Sequence, residues 1–389
     1  MKIFMKLSKF SGGAPISMLE YAKIFRGEGD SVKIIGEFSF NEKKFQDEKF
    51  DTYSLREFNS KTPIQNIKSL RQLIKLIEHD RPDLLVMCTI QDCIYGSLLQ
   101  NLISVPILCI IPGGEVPTYT PKHLERLNMI VFSEENKNAL KYLGLNTSLI
   151  TVLPNRFKFN DANLKSIKDV DSSDCNVLLI SRLDNSKKHS IFYSMDLIKQ
   201  LNVESSSNSV VMRILGDGEI ADEVKSYANQ INNGCNKKII FIEGYRDDVI
   251  NYINNSHIIL GKGRCIIDSL YYGRYALVVN EEKKYKICNE VSYEQLRENN
   301  FSGRGLLNPD NLSDLKGIIS DINMGNYDNK ELENLSLKIN RDYSIDTAIN
   351  SILTKRKVAQ EERVINTSKL NFVLQFIQFY AKILKSKIQ

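Results

Sequence analysis

Short apolar runs alternate with longer amphipathic segments along the first 155 residues of the chain. The runs KIFMKL, SVKIIG, DLLVMC, PILCII, MIVF and LITVL have the length and continuous apolarity of strands that are buried on both faces. Between them, apolar residues recur at helical spacing, as at Ile16, Leu19 and Ala22, and Gly29 suits the end of that helix. This alternation predicts a parallel sheet with helices on both faces.

A polar stretch over residues 155–174 interrupts the pattern, and we interpret it as a linker. The alternation then restarts with the strands NVLLIS, VVMRILG, KKIIFIEG, HIILG and YALVVN, which are separated by predicted helices. A chain of 389 residues also exceeds the roughly 250–300 residues that a single hydrophobic core usually serves. We therefore predict two doubly wound α/β domains, over residues 1–160 and 170–364.

The C-terminal segment SKLNFVLQFIQFYAKILKSKIQ predicts one more helix, over about residues 365–389. It has a broad apolar face, and Lys382, Lys385 and Lys387 stand near its end. In one interpretation this helix packs back on the first domain. In the other, its apolar face and its lysines make peripheral contact with an anionic membrane.

Composition narrows the class of protein. A net charge of +5 is mild for this length, so we expect no nucleic-acid partner. The seven cysteines are scattered without a Cys-x-x-Cys pair, which favours reduced thiols over a zinc site or disulfides. No run reaches the roughly 20 apolar residues that span a bilayer, and the N-terminus lacks the pattern of a signal peptide. We therefore expect a cytoplasmic protein that needs no metal or cofactor.

Four loops follow predicted strands, and this is where parallel α/β sheets bind ligands. In the first loop, SGGAP, Gly12 and Gly13 would let the backbone approach a phosphate or a sugar, although any tight turn also uses glycine. In the second, SRLDNSKKH, Arg182 can bind a phosphate bidentately, and Lys187 and Lys188 add positive charge. A solvated run of charges is the alternative interpretation of this loop.

The third loop, LGDGEIA, begins at Leu215 and matches the dinucleotide-binding pattern Gly-x-Gly-x-x-Ala from Gly216 onward. Glu243 ends the next strand, where an acid that binds ribose would stand. However, Asp217 and Glu219 place negative charge where a pyrophosphate would lie, and the loop follows the second strand of its domain instead of the first. An NAD-dependent or flavin enzyme is therefore the less favoured alternative.

The fourth loop opens the stretch GKGRCIIDSLYYG. Gly261 and Gly263 allow close approach to the backbone, and Arg264 can contact a phosphate. Asp268 lies about one turn inside the following helix, within reach of ribose hydroxyls; a plain turn with an exposed arginine is the alternative. Together with the basic loop, this stretch predicts a pocket for a nucleoside diphosphate. Group transfer from an activated sugar suits such a pocket, because the cations would stabilise the departing diphosphate.

These motifs, in this order, resemble those of the GT-B glycosyltransferases, specifically the large retaining family 4 (glycosyl transferases group 1). The resemblance is carried by SGGAP, by VFSEENKNALKYLGL with ITVLPN, by LLISRLDNSKKH, by RILGDGE, and by the stretch from FIEGY to YALVV. The GKGR loop and the later NNFSGRG (residues 299–305) resemble a bacterial branch with a Gly-x-Gly-Arg donor loop. The implied fold has two Rossmann-like domains facing a central cleft, with the acceptor on the first and the nucleotide-sugar donor on the second.

The implied activity is metal-independent, retaining transfer of a hexose-like sugar from a UDP- or GDP-sugar to a glycan or polyprenyl-linked acceptor. Synthesis of a bacterial surface glycan, such as O-antigen, capsule or lipopolysaccharide, would use it. Arg182 and Lys188 would then act on the departing diphosphate. The residues expected to bind the donor are Gly12, Gly13, Lys187, Gly216, Tyr245, Gly261, Gly263, Arg264 and Asp268.

The chain departs from the family pattern at two places. Leu260 stands where the family has the first acid of a Glu-x7-Glu motif whose second acid matches Asp268. The stretch CIIPGGEVPTY lacks the histidine that the family often places near the acceptor, which leaves Glu115 as the nearest polar candidate for a catalytic role there. A catalytically weak GT-B-like partner protein in a glycan assembly complex is therefore the alternative function.

Overall fold

The computed structural model describes residues 1–9, 13–37, 42–59, 62–100, 102–114, 116, 122–159, 165–170, 174–204, 209–361 and 369–385. The chain forms two compact units, one of Met1–Lys158 with Ser344–Gln389 and the other of Phe159–Tyr343. The second unit thus ends at Tyr343, before the predicted limit of 364. The difference arises because Ile345, Ala348, Ile352 and Ala359 are buried in the core of the first unit.

The first unit is built on a sheet of seven parallel strands in the order β3-β2-β1-β4-β5-β6-β7. The strands are β1 Lys2–Lys9, β2 Ser31–Glu37, β3 Asp51–Ser54, β4 Leu84–Met87, β5 Ile107–Ile111, β6 Asn128–Val131 and β7 Ile150–Val152. Every residue of β4, β5 and β6 is buried, because helices cover both faces of the sheet. Ile3 and Met5 face one core, and Phe4 between them faces the other.

Seven α-helices are described in the first unit, and two of them come from the C-terminal part of the chain, after the second unit. They are α1 Gly13–Gly27, α2 Glu42–Asp47, α3 Pro63–Asp80, α4 Ile90–Leu99 and α5 Glu134–Tyr142, with α13 Ile349–Glu361 and α14 Lys369–Lys385. The hydroxyl of Tyr380 on α14 lies 2.6 Å from the hydroxyl of Tyr95 on α4, and the amide of Asn66 donates to it at 2.6 Å. The C-terminal helix therefore packs on the first unit.

The second unit is built on a six-stranded sheet in the order β10-β9-β8-β11-β12-β13, in which only β13 is antiparallel. The strands are β8 Cys175–Ile180, β9 Val210–Leu215, β10 Ile240–Gly244, β11 Ile258–Gly261, β12 Tyr275–Val279 and β13 Tyr285–Ile287. The helices are α6 Lys188–Glu204, α7 Ala221–Asn233, α8 Val249–Asn254, α9 Arg264–Tyr271, α10 Tyr293–Glu298, α11 Leu312–Asn323 and α12 Asn329–Tyr343. The predicted pair of doubly wound α/β domains is confirmed.

Each sheet has one place where the strand order reverses, between β1 and β4 in the first unit and between β8 and β11 in the second. At such a reversal the loops after the two central strands diverge to opposite faces and leave a crevice at the carboxyl edge of the sheet. Within the described ranges, no helix is long and apolar enough to cross a membrane.

Candidate functional site

The basic loop SRLDNSKKH follows β8 and therefore borders the crevice of the second unit. Arg182 is 66% exposed and forms an ion pair with Asp184 at 3.1 Å. Lys188, in the first turn of α6, forms an ion pair with Glu223 of α7 at 2.5 Å. In the part of the chain that the structure describes, no carboxylate lies within ion-pair distance of Lys187. Two of the three cations are thus neutralised internally, and the third is not.

The loop that matches a dinucleotide-binding pattern crosses the basic loop at backbone contact distance. Gly216 and Gly218 have φ angles of 146° and 153°. A Cβ at Gly216 would overlap the carbonyl oxygen of Ser181, and one at Gly218 would overlap that of Leu183. Gly216 was expected to bind the donor. This close backbone packing is sufficient to require glycine at the position, whether or not a donor binds there.

The amide of Gly218 donates a hydrogen bond of 2.8 Å to the carboxylate of Asp217, so this loop satisfies its own donor. Glu243, at the position of a ribose-binding acid, accepts hydrogen bonds from Arg213 on the adjacent strand and from the hydroxyl of Tyr252. Both groups that a dinucleotide would use are therefore engaged within the protein, which disfavours the NAD or flavin interpretation.

The GKGR loop follows β11 on the other side of the crevice. A Cβ at Gly261 would overlap the Sγ atom of Cys265 and lie 3.2 Å from the carbonyl oxygen of Ile180, so this glycine lets α9 pack closely against β8 and β11. Gly263 has a φ of 64° and immediately precedes α9, and its amide donates to the carbonyl of Phe301 at 2.7 Å. The structure brings both predicted glycines to the crevice and gives each a conformational or packing requirement.

Arg264 and Asp268 lie one turn apart on α9 and form an ion pair, in which the Nε atom of Arg264 donates to Asp268 at 3.2 Å. The sequence interpretation assigned them to different parts of a ligand, with the arginine on a phosphate and the acid on a ribose. Because spacing of four residues places both side chains on one face of the helix, they neutralise each other. A ligand would have to compete with this pair or bind to the paired side chains.

Lys262, between the two glycines of the GKGR loop, was not singled out from the sequence. Its side chain is only 16% exposed, and its ammonium group forms an ion pair with Glu281, directly beyond β12. The backbone amide and the hydroxyl of Ser190, in the first turn of α6, donate to the same carboxylate at 3.0 Å and 2.8 Å. The pKa of Lys262 is lowered by burial, with Glu281 opposing this and the positive charges of Lys187 and Arg304 adding to it.

The remaining predicted residues lie apart from this crevice or outside the described residues. Tyr245 follows β10, which is separated from β8 by β9, and its hydroxyl donates to Asp247 at 2.9 Å. Gly13 begins α1 after β1 of the first unit. Gly12 and Glu115 fall outside the residues that the structure describes.

The first unit has a buried polar cluster at its own strand reversal, which the sequence interpretation missed. The ammonium group of Lys6 donates to the carbonyl of Leu7 at 2.6 Å and to Asp92 at 3.3 Å, and both charged side chains are fully buried. The other carboxylate oxygen of Asp92 accepts hydrogen bonds from the hydroxyls of Ser8, at 3.1 Å, and Thr89, at 2.7 Å. A lysine inside the apolar run KIFMKL was the signal that could have indicated this cluster.

Among the described residues, no group of three or more histidine, cysteine, aspartate or glutamate side chains is placed to hold a metal ion. Burial disfavours the thiolate and raises the pKa of five thiols, those of Cys88, Cys93, Cys175, Cys265 and Cys288. These thiols therefore serve as small core side chains.

Comparison with solved structures shows extensive similarity at low sequence identity. Anabaena HepE in complex with UDP and glucose superposes with a TM-score of 0.68 over 92% of this chain and 100% of HepE, at 14% identity. A glycosyltransferase from Rickettsia africae has a TM-score of 0.67 over 93% of this chain and 99% of its own, at 16% identity. A variant of S. aureus TarM bound to UDP, fondaparinux and α-GlcNAc-glycerol has a TM-score of 0.62 over 93% and 100%, at 12% identity.

These likenesses, together with the two doubly wound sheets, show that the chain has the two-domain, Rossmann-like GT-B fold. No protein-family model matches the sequence, and no curated protein matches it either. At such low identity the similarity establishes the fold alone, since one fold hosts many activities.

Proposed function

We propose that the chain is a glycosyltransferase that moves a sugar from a UDP- or GDP-sugar donor to a glycan or polyprenyl-linked acceptor. The observation that carries the proposal is the convergence of the basic loop after β8 and the glycine loop after β11 at the strand reversal of the second unit. Anabaena HepE and S. aureus TarM, which share the fold, were solved with UDP bound. The partly neutralised cations of these loops suit the diphosphate of such a nucleotide.

In the proposed reaction, the bond between the anomeric carbon and the diphosphate oxygen breaks, and the acceptor hydroxyl forms a new bond to that carbon. The proton of the hydroxyl passes to the departing diphosphate, and attack from the same face retains the anomeric configuration. Arg182 and Lys188 would leave Asp184 and Glu223 to neutralise the leaving diphosphate without a metal ion. Gly12, Gly13 and Glu115 keep the roles that the resemblance implies, as predictions.

Buried Leu260 favours a second candidate function. It is the last residue but one of β11, at the position where the family has an acid, and its side chain is buried in the core with 1% exposure. A donor would therefore lack one contact that the family supplies. A catalytically weak partner protein in a glycan assembly complex would retain nucleotide binding without turnover.

A cytoplasmic enzyme that works at the inner face of the membrane would match a polyprenyl-linked acceptor, and α14 supports this part of the proposal. Phe379 of this helix is buried in the first unit, while Val373, Leu374 and Ile377 are about half exposed on its other side. An apolar stripe of this kind suits peripheral contact with lipid. Assembly of a bacterial surface glycan is the process in which such an enzyme would take part.

The test is release of free nucleotide from UDP- and GDP-sugars, with and without a chelator, by the wild type and by Arg182→Ala. We expect slow hydrolysis by the wild type and a decrease of about 100-fold in the variant. Arg341→Ala is the matched control, because Arg341 is 65% exposed and pairs with its neighbour Asp342 as Arg182 pairs with Asp184. If no nucleotide sugar binds and none releases free nucleotide, the proposal is refuted. Binding without turnover would favour the second candidate.

A further inference from the structure

Four segments of the second unit meet around Lys262. The glycine loop is held to the turn of residues 299–305 by the 2.7 Å hydrogen bond from the amide of Gly263 to the carbonyl of Phe301. A Cβ at Gly303 would lie 3.2 Å from the Cβ of Asn280, so this turn also packs closely on the loop after β12. Glu281 of that loop accepts two hydrogen bonds from Ser190 at the start of α6. The segments are thus fixed to one another at the crevice.

These segments place several charged side chains around Lys262. Lys262 is close enough to Lys187 and Arg304 for their charges to act on its pKa, and Glu281 is the carboxylate that pairs with it. Hydrogen bonds from Lys262 and Ser190 outweigh the effect of burial on Glu281 and lower the pKa of its carboxyl group, so this residue is ionised. The positive charges of Lys187 and Arg304 repel that of Lys262 in a partly buried place, and an anion would relieve the repulsion.

We propose that Lys262, with Lys187 and Arg304, forms a phosphate subsite that takes the terminal phosphate of the donor diphosphate, and that Glu281 competes with that phosphate for the ammonium group of Lys262. The inference rests on the proposed function and extends it to residues outside the pair Arg182 and Lys188. Lys262 lies between the two glycines of the loop predicted to border the phosphates, at the carboxyl end of β11. Binding of a phosphate there would place the leaving group between the basic loop and the glycine loop.

This arrangement predicts opposite effects for the two members of the ion pair. Removing the charge of Lys262 should weaken binding of a diphosphate about 10- to 100-fold, because a charge-assisted contact in a partly buried site is lost. Removing the charge of Glu281 should strengthen the same binding several-fold, because the competing carboxylate is gone. An ion pair that serves only to hold the loops together would instead lose affinity in both variants.

The experiment is calorimetric titration of UDP, UMP and inorganic pyrophosphate into the wild type, Lys262→Met, Lys262→Arg and Glu281→Gln. We expect Lys262→Met to weaken UDP and pyrophosphate about 10-fold or more but UMP less than about threefold, since UMP lacks the terminal phosphate. Lys262→Arg should retain most of the affinity, and Glu281→Gln should bind UDP more tightly. Lys286→Met is the matched control, because Lys286 is 17% exposed and pairs with Asp310, as Lys262 pairs with Glu281 at 16% exposure.

Unchanged UDP binding by Lys262→Met would overturn the inference, as would an equal loss for UMP and UDP or a loss in Glu281→Gln as large as that in Lys262→Met. Thermal unfolding of each variant separates loss of the subsite from loss of the fold. If the wild type releases nucleotide from a nucleotide sugar and Lys262→Met does so equally well, the inference fails while the proposed function stands. If pyrophosphate binds through Lys262 and no nucleotide sugar is turned over, the subsite stands and the proposed function fails.

Discussion

An ion pair between a lysine and a carboxylate lies at the strand reversal of each sheet, but the two pairs differ in burial and in the charges around them. In the first unit Lys6 and Asp92 are fully buried, and Leu7, Ser8 and Thr89 complete their hydrogen bonds. In the second unit Lys262 and Glu281 are partly exposed, with two further cations close to them. In the first cluster one cation pairs with one carboxylate away from solvent, whereas in the second, further positive charges repel the paired lysine. The same topological position therefore holds a buried ion pair that stabilises the fold in one sheet and a candidate binding site in the other.

The largest effect we expect comes from removing the carboxylate of each cluster in turn. Asp92→Asn should lower the free energy of unfolding by about 3–5 kcal/mol, because Lys6 would be left buried without a counter-charge. Glu281→Gln should change it by less than about 1 kcal/mol, because that pair is partly solvated. Urea unfolding of both variants measures the contrast. Similar losses of unfolding free energy in the two variants would show that both ion pairs serve mainly to stabilise the fold.

A second test concerns the loop crossing that shapes the edge of the second sheet. Gly216→Ala should cost about 3 kcal/mol, because the new Cβ would overlap the carbonyl oxygen of Ser181 and the backbone cannot yield cheaply. Gly244→Ala is the matched control: its φ is 72°, but no atom lies within 4 Å of its Cβ position. This control should cost only about 1–2 kcal/mol, from the left-handed backbone alone.

If chemical denaturation shows equal losses for the two glycine variants, the crossing is more adaptable than its geometry indicates. A variant that folds but no longer binds UDP would assign Gly216 to the donor site as well. The comparison between a packing role and a binding role thus becomes measurable at a single residue.

The sequence was most informative about the central strands of each sheet. Runs such as Ile107–Ile111 are apolar at every position because helices cover both faces, and this pattern predicted the parallel sheets correctly. The edge strand Asp51–Ser54 was missed because it is short and half exposed, and the antiparallel strand Tyr285–Ile287 because three residues show no periodicity. Strand order was not derivable either, since it depends on which faces the connecting helices cover.

The candidate site was predictable as a set of loops, but not as a set of contacts. Glu281 stands 19 residues from Lys262 in the sequence, and only the parallel pairing of β11 with β12 brings the loops that hold them together. Glycines at 216 and 261 indicated close approach, yet a glycine pattern does not distinguish the approach of a ligand from that of a neighbouring backbone or side chain. The roles of these loops in binding a donor remain predictions.

A third test concerns His257, a buried histidine directly before β11, at the end of this strand opposite the GKGR loop. Burial and the positive charge of Arg274 lower the pKa of His257 to about 4, and its Nδ1 atom accepts a hydrogen bond from the amide of Asn176 at 3.0 Å. Between pH 6.5 and about 4 the unfolded chain takes up a proton that the native state does not. The contribution of His257 to stability should therefore fall as the pH decreases through this window, by at most about 3 kcal/mol, and should be constant above it.

Urea unfolding between pH 7 and pH 4.5 measures this dependence, and His257→Gln should have a shallower slope than the wild type over that interval. Equal slopes would mean that His257 takes up its proton in the native state as readily as in the unfolded chain. Unlike Lys262, which keeps a carboxylate beside it, His257 accepts its hydrogen bond as a neutral ring.

The smallest effect we expect separates the two sides of α14. Ile377→Asp should change the free energy of unfolding by less than about 0.5 kcal/mol, because this side chain is 59% exposed. The same variant should reduce binding to vesicles of equal parts phosphatidylcholine and phosphatidylglycerol about 10-fold, because an inserted isoleucine contributes roughly 1.5–3 kcal/mol. Leu337→Asp, at a residue 68% exposed on α12 of the second unit, is the control that should bind vesicles as the wild type does. Equal vesicle binding by all three proteins would show that the exposed side of α14 does not contact lipid. The helix would then serve only to pack on the core of the first unit through residues such as Phe379.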